Sequence, residues 1–386
     1  MSGFHSQILH HIAKRGVAAI ESNRDAYVKS MEHTAPRSHK DHWLSLVVFL
    51  TLTIFVMAYA SIRYTLGEVI ASLAMIEQPK TVVVSELRPV DEDKDDIDAS
   101  LAKDRLLDEE VTIYTEKPVT TSIRQSVRHL VSIGGYGARW RGLQISVVYH
   151  FLQGILANLL SMVFSLVPFL GPFALVFGSL LSTVLLARIH MTWTHIMISR
   201  PSPLPWYRRI PSGRIYFKTL ITPALIFAIA QHLTVVLPMM VYFWIGGADA
   251  TKGYSGPNVD HKHESIRLIA MLATMAFVGI ALLLPASVTL TRVEASLLPD
   301  DAETIVNFDR TLGGAAANLV GFGKINFRAL YDAAWRSYDK ASRIRLIKFY
   351  IKYFAIMTAL VVTGTFVVAA EFIIFGASFA SLNIFK

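Results

Sequence analysis

The chain has 386 residues, of which 53% are apolar, with a mean hydropathy of +0.44 and a net charge of +8 at pH 7. Several apolar runs of about eighteen residues or more exclude an ordinary soluble domain. The absence of cysteine excludes disulfides, thiolate metal sites and a cysteine nucleophile. The positive balance sits in the loops and points to anionic lipid rather than to nucleic acid.

Residues 1–42 are polar, and Ile8, Leu9, Ile12, Val17 and Ile20 predict a surface helix within residues 1–30. Glu21, Asp25 and Glu32 argue against a cleavable presequence there. Six apolar spans follow. The first covers 43–62 and continues as a polar-faced helix to Ile76; the others are 143–167, 169–189, 217–245, 266–290 and 349–375. Each suffices for about 30 Å of hydrocarbon at about 1.5 Å per residue. Pro168, Gly171 and Pro172 predict a tight turn between the second and third spans.

The connecting segments differ in character. The 77–120 loop is long and holds an acidic run at 91–96, read as solvated and flexible. The 200–209 segment is rich in proline and basic residues and contains no acid, and 292–348 is long with mixed charge. Of the 37 Lys and Arg residues, 26 lie in residues 77–142, 188–218 and 292–352, at and beyond the ends of the first, third and fifth spans. The positive-inside rule places those three loops in the negative compartment, with both termini opposite.

The ends of the odd spans also align. Pro285 to Arg292 lies over Leu181 to Arg188 at an offset of 104 residues, and Leu66 to Leu73, with Glu68, fits more loosely. Residues 134–142 read Gly-Gly-Tyr-Gly-Ala-Arg-Trp-Arg-Gly and join a basic amphipathic segment to the second span. Glycines there permit a tight turn, Trp140 suits the headgroup layer, and Arg139 and Arg141 can meet lipid phosphate.

Together these features resemble the mitochondrial carrier family. That family has odd helices ending in Pro-x-Asp/Glu-x-x-Lys/Arg-x-Arg and surface helices leading to Asp/Glu-Gly-x-x-x-x-aromatic-Lys/Arg-Gly. Gly135, Trp140, Arg141 and Gly142 match the second motif, with Gly134 in place of the acid. Pro285 and Arg292 match the ends of the first, with Ser287 and Leu290 in place of its acid and first base. Ala71 and Leu186 stand in the other two basic places, and only Glu68 fills an acidic one. The resemblance implies an all-α integral membrane fold of six helices in three pseudo-repeats: 43–168, 169–250 and 251–386. It also implies a central cavity and cardiolipin bound at the even-helix starts.

Polar side chains inside the spans are the candidates for a substrate cavity, because lipid exposure of such groups is costly. They are Tyr149, His150, Gln153 and Asn158 in the second span, Gln231, His232 and Thr234 in the fourth, and Lys348, Lys352 and Tyr353 in the sixth. Hydrogen bonding between helices is the competing role. His190 and His195 are five residues apart, a turn of about 500° on a helix, so no shared metal face is expected. His39 with His42 and His261 with His263 read as membrane-edge residues, and no metal or other cofactor is expected. The sequence lacks a phosphate-cradling loop, a nucleophile elbow and a His-Glu-x-x-His motif, so an enzyme is the least favoured class.

The expected function is movement of a small solute across a mitochondrial membrane, the inner ahead of the outer. A carrier fold without transport, serving as an outer-membrane scaffold or insertion or fusion factor, is the alternative. An unrelated six-span protein of the secretory pathway is a third.

Overall fold

A computed structural model describes residues 39–86, 110–246, 261–314, 316 and 327–383. The expected surface helix within 1–30 and the acidic run at 91–96 lie outside the described residues.

Helix α1 (His39–Ile62) runs without a break into a π-helical stretch (Arg63–Ile70) and α2 (Ala71–Ile76). A two-stranded ribbon follows, β1 (Lys80–Glu86) antiparallel to β2 (Glu110–Glu116), with Lys80 opposite Glu116 and Glu86 opposite Glu110. The spans and surface elements are helical as expected; the sequence reading does not anticipate the ribbon. Its strands are dense in Val, Thr, Ile and Tyr, a composition that suits a pleated ladder.

Surface helix α3 (Ile123–Gly134) leads to α4 (Leu143–Ser165). The third span is broken: α5 (Ala174–Leu185) and α6 (Ala187–Ile198) meet at Leu186, and the two segments are bent by 57°. The sequence reading ends this span at Ile189, whereas the helix runs on to Ile198. The hydroxyls of Ser182 and Thr183 both donate to the Ser179 carbonyl, competition with the helical ladder that bends a helix just where the break occurs.

Helix α7 (Arg214–Gly246) is the fourth span. The fifth is α8 (His261–Val278), a π-helical stretch (Gly279–Leu283) and α9 (Leu284–Ser296). Pro285 has no N–H to give and crowds the carbonyl one turn back, which accounts for the widened turn ahead of it. Surface helix α10 (Phe327–Arg336) precedes α11 (Lys340–Asn383), the sixth span. Among the described residues, five helices are long and apolar enough to cross a bilayer, or six when the bent pair is counted as one span. Large apolar side chains such as Phe49, Met57, Phe151, Phe169, Trp244, Phe277 and Phe366 stand exposed along them. Water does not tolerate such surface and lipid does. The chain is a multi-pass membrane protein.

The structure divides into two units, residues 1–60 with 358–386, and residues 61–357. In the first, Gly364 packs on Phe55, where an added Cβ would lie 3.1 Å from the ring. Thr51 Oγ1 donates to Glu371 Oε1 at 2.6 Å.

In the second unit, α4 and α5 form a close hairpin. A Cβ on Gly178 would lie 2.3 Å from Ser161 Oγ and 2.6 Å from the Ala157 carbonyl, the small-residue contact typical of membrane helices. Helix α7 packs on α5 and on α8. The carboxyl-terminal segments of the three odd spans, α2, α6 and α9, touch one another pairwise. The larger apolar core forms around that convergence, from Ile70, Leu73, Ile76, Leu130, Ile145, Ile198, Val288 and Leu346. Glu77, just past α2, accepts the backbone N–H groups of Val119 and Thr120 at 2.6 and 2.9 Å. This ties off the base of the ribbon excursion.

Candidate functional site

The hinge at 134–142 is built from both ends. On α3, Ile123, Val127, Leu130 and Ile133 recur at helical spacing and meet the core. The helix stops at Gly135, whose φ is +69° and whose N–H bonds the Val131 carbonyl at 2.8 Å. A tight turn (Tyr136–Trp140) carries the chain to Gly142, at φ +72°, which caps α4. A Cβ at Gly142 would lie 2.9 Å from Trp193 Cδ1, so both conformation and space require glycine there.

Hydrogen bonds lock the hinge to the odd spans. Tyr64 donates to the Arg141 carbonyl at 2.7 Å, and Trp193 Nε1 donates to the Tyr64 hydroxyl at 3.1 Å. Trp140 Nε1 donates to Ser61 Oγ at 3.1 Å. Arg141 Nη2 donates to the Ser199 carbonyl, and Arg209 Nη2 to the Ser199 hydroxyl at 2.9 Å. Arg139 Nε and Arg141 Nη1 are buried without a hydrogen-bond partner.

A cavity of about 400 Å³ opens here, lined by Trp140, Arg141, Gly142, Gln144, Pro201, Trp206 and Arg209 among others. Burial holds the Arg209 guanidinium below its ordinary value, although Asp301 pulls the other way. Two cations with spare N–H groups beside two indoles can take a phosphate and the apolar tail joined to it.

A second cavity, of about 640 Å³, shares Pro201, Ser202, Leu204 and Arg209 with the first. The first lies between the start of α4 and the segment after α6. The second lies between the start of α7, at Tyr216, and the segment at 298–303 after α9, with His195, Arg208 and Arg209 also in its wall.

No family model matches the chain. No curated protein proves similar to it either.

At the convergence, two charged side chains of α9 are fully buried, Arg292 and Glu294. Arg292 donates to the carbonyls of Met75, Ile76, Ala334 and Ser337 and to the Ser337 hydroxyl, so it serves the ends of α2 and α10 together. Its guanidinium also stacks near the rings of Phe308 and Tyr338. Arg188, its partner in the 104-residue alignment, donates to the Pro211 carbonyl. Each arginine thus holds the backbone just ahead of the following even span. Glu294 is held by α6: His190 Nδ1 lies 2.6 Å from Oε1, Thr194 Oγ1 donates to Oε2 at 2.6 Å, and His195 Nε2 donates to the Glu294 carbonyl at 2.7 Å.

The cavity candidates fall elsewhere. Tyr149 is buried against the rings of His190 and Trp193. His150 bonds the carbonyl of Ser146, and Asn158 that of Gly154, both on their own helix. Gln153 donates to Thr183 Oγ1 at 3.1 Å, and His232 Nε2 lies 2.5 Å from Ser179 Oγ, so these two join neighbouring helices. Gln231 is exposed, and Thr234 bonds back to Ala230. Lys348 and Lys352 are exposed, and Tyr353 packs beside Gly67. Glu68 pairs loosely with Arg63 at 3.8 Å, and Pro285 sits at the widened turn. Neither of the two cavities above gathers residues from all three candidate groups.

Sequence reasoning overlooked Tyr64, Trp193, Ser199, Arg209 and Glu294 as site residues. Glu294 carried a signal: an acid directly after an apolar span is costly to bury unless something answers it.

Proposed function

We propose that this chain is a carrier-type membrane protein that moves a small solute across a mitochondrial membrane, with anionic phospholipid held at its loop-side cavities. The observation that carries the reading is the pairwise meeting of α2, α6 and α9. On this reading the three odd spans, which bend or widen and then meet, are the barrier across one mouth of the solute path. Arg188 and Arg292 acting alike support a repeated architecture. Cardiolipin, with two phosphates, suits the Arg141–Arg209 pair, which sits among Trp140 and Trp206.

Reconstitution tests this. The purified chain in liposomes containing cardiolipin should take up at least one solute from a broad metabolite panel, saturably and above protein-free liposomes. Failure across the panel counts against transport.

One observation favours a second reading. The three basic places of the carrier gate hold Ala71, Leu186 and Leu290, and Ala71 and Leu290 are buried. An apolar seal opens less readily than exchangeable ion pairs. On this reading the protein is a non-transporting scaffold of the outer membrane, and cross-linking to stable protein partners with an outer-membrane fractionation profile would support it.

A further inference from the structure

We infer that His190 and Glu294 form a proton-binding site that latches the loop-side ends of the third and fifth spans, and that uptake of a second proton releases the latch.

Three side chains of α6 clasp this single residue of α9. His190 and Thr194 engage the two carboxylate oxygens, and His195 engages the backbone carbonyl. Because a carbonyl can only accept, His195 Nε2 carries a hydrogen. The Glu294 side chain has no solvent exposure. Arg292, two residues away, spends its N–H groups on carbonyls and Ser337 and does not neutralise it. His190 is therefore the partner that answers the carboxylate, and it does so inside a wall of Tyr149, Trp193 and Phe227 rings at 5.3 to 6.2 Å.

One proton shared by the pair gives an imidazolium beside a carboxylate, and the clasp is neutral overall. A second proton passes from hydronium to a carboxylate oxygen: one O–H bond of hydronium breaks, one forms on Glu294, water leaves, and the positive charge stays on His190. That charge then sits among aromatic rings with no carboxylate in contact, Glu68 acting on it only from further off, and burial penalises it. Parting α6 from α9 admits water and removes the penalty. His195, the third member of the clasp, lines the 640 Å³ cavity on the loop face.

Other titratable and charged groups surround the pair: Glu68 from the first span, Tyr149 from α4, Arg292 on α9, and Arg209 and Arg310 from the loops, with His195 on α6. The exposed Arg200–Glu303 pair, at 3.2 Å, joins the same two segments and needs its own control.

The chain has no native cysteine, so nitroxides can be placed cleanly at Ser202→Cys and Asp300→Cys in the full-length protein in nanodiscs. Their separation is measured between about pH 7.5 and about pH 3.5, which brackets the ordinary histidine and glutamate values of about 6.5 and about 4.3. The distance should lengthen on acidification, E303Q and E68Q should keep that response, and H190Q and E294Q should abolish it. Size-exclusion profiles at both pH values guard against unfolding, and H190Q alone suffices where E294Q does not fold. An unchanged distance in the parent, or a response that survives H190Q, overturns the proposal. So does a response lost in E303Q alone. None of these readouts depends on transport, so the latch and the carrier reading fail separately.

Discussion

His190 and Glu294 stand 104 residues apart in the chain and 2.6 Å apart in space. That separation equals the offset at which the ends of the third and fifth spans align. Removing the carboxylate with E294A should leave His190, Thr194 and the cavity behind without partners. A loss of about 3–5 kcal/mol is expected for breaking one side of a buried pair. Thermal unfolding in detergent checks it, and E294A combined with H190L should lose less than E294A alone.

Arg292 is predicted to be intolerant of lysine as well as of apolar residues. One ammonium cannot span the carbonyls at the ends of both α2 and α10, which the guanidinium fork serves together. R292M and R292K should each lower stability by about 2–4 kcal/mol, since orphaned buried carbonyls add their own penalty. R188K, whose parent contacts only the Pro211 carbonyl, should be milder under the same thermal assay.

The two hinge glycines separate two effects. At Gly135, with φ +69° and ψ −171°, an added methyl meets nothing within 4 Å, so G135A costs only a backbone conformation that side chains rarely adopt, roughly 1–3 kcal/mol. Gly142 is in the ordinary left-handed region, with ψ 8°, and there the conformational cost combines with the clash against Trp193. Trimming Trp193 to Leu should therefore recover part of the G142A loss in melting temperature and none of the G135A loss.

How much of this was legible beforehand depends on the range over which each feature is decided. The apolar spans and the glycines at 135 and 142 are local: length, hydropathy and turn chemistry fix them within a few residues. The break at Leu186 depends on two hydroxyls competing for one carbonyl, which no hydropathy pattern registers. His190 and His195 were set aside as a pair because five residues turn them to different faces. They nonetheless reach one residue, since one meets its side chain and the other its backbone. The polar residues of the even spans suit a cavity or bonds between helices, and sequence does not decide between them. Gln153 and His232 hydrogen-bond to the neighbouring α5, the use that membrane helices commonly make of such groups.

Acid should loosen the loop that packs on Arg292. Burial tends to raise the Asp309 carboxyl, but hydrogen bonds from Thr311 Oγ1 and the backbone N–H groups of Gly313 and Thr311, with Arg292 nearby, outweigh it and hold it below its ordinary value. A depressed carboxylate contributes stability above its unfolded value of about 4 and loses it as pH falls through the folded value. The melting temperature of D309N should therefore fall less than the parent's over that acid window. Parallel curves for the two would contradict the assignment.

Anionic lipid should follow Arg141 and Arg209. Each guanidinium–phosphate hydrogen bond contributes roughly 1.5–3 kcal/mol. R141Q and R209Q should therefore each cut cardiolipin retention, read by native mass spectrometry, by about tenfold or more, leaving zwitterionic lipid unaffected.

The account turns on whether the meeting of α2, α6 and α9 is a barrier that opens. The most direct measurement is solute uptake by cardiolipin-containing proteoliposomes, made with the parent chain and with a double-cysteine variant that can be cross-linked between α6 and α9. The account predicts saturable uptake by the parent and by the reduced variant, with loss on oxidation and recovery on reduction. Uptake no greater than in protein-free liposomes, or uptake indifferent to the cross-link, would contradict it.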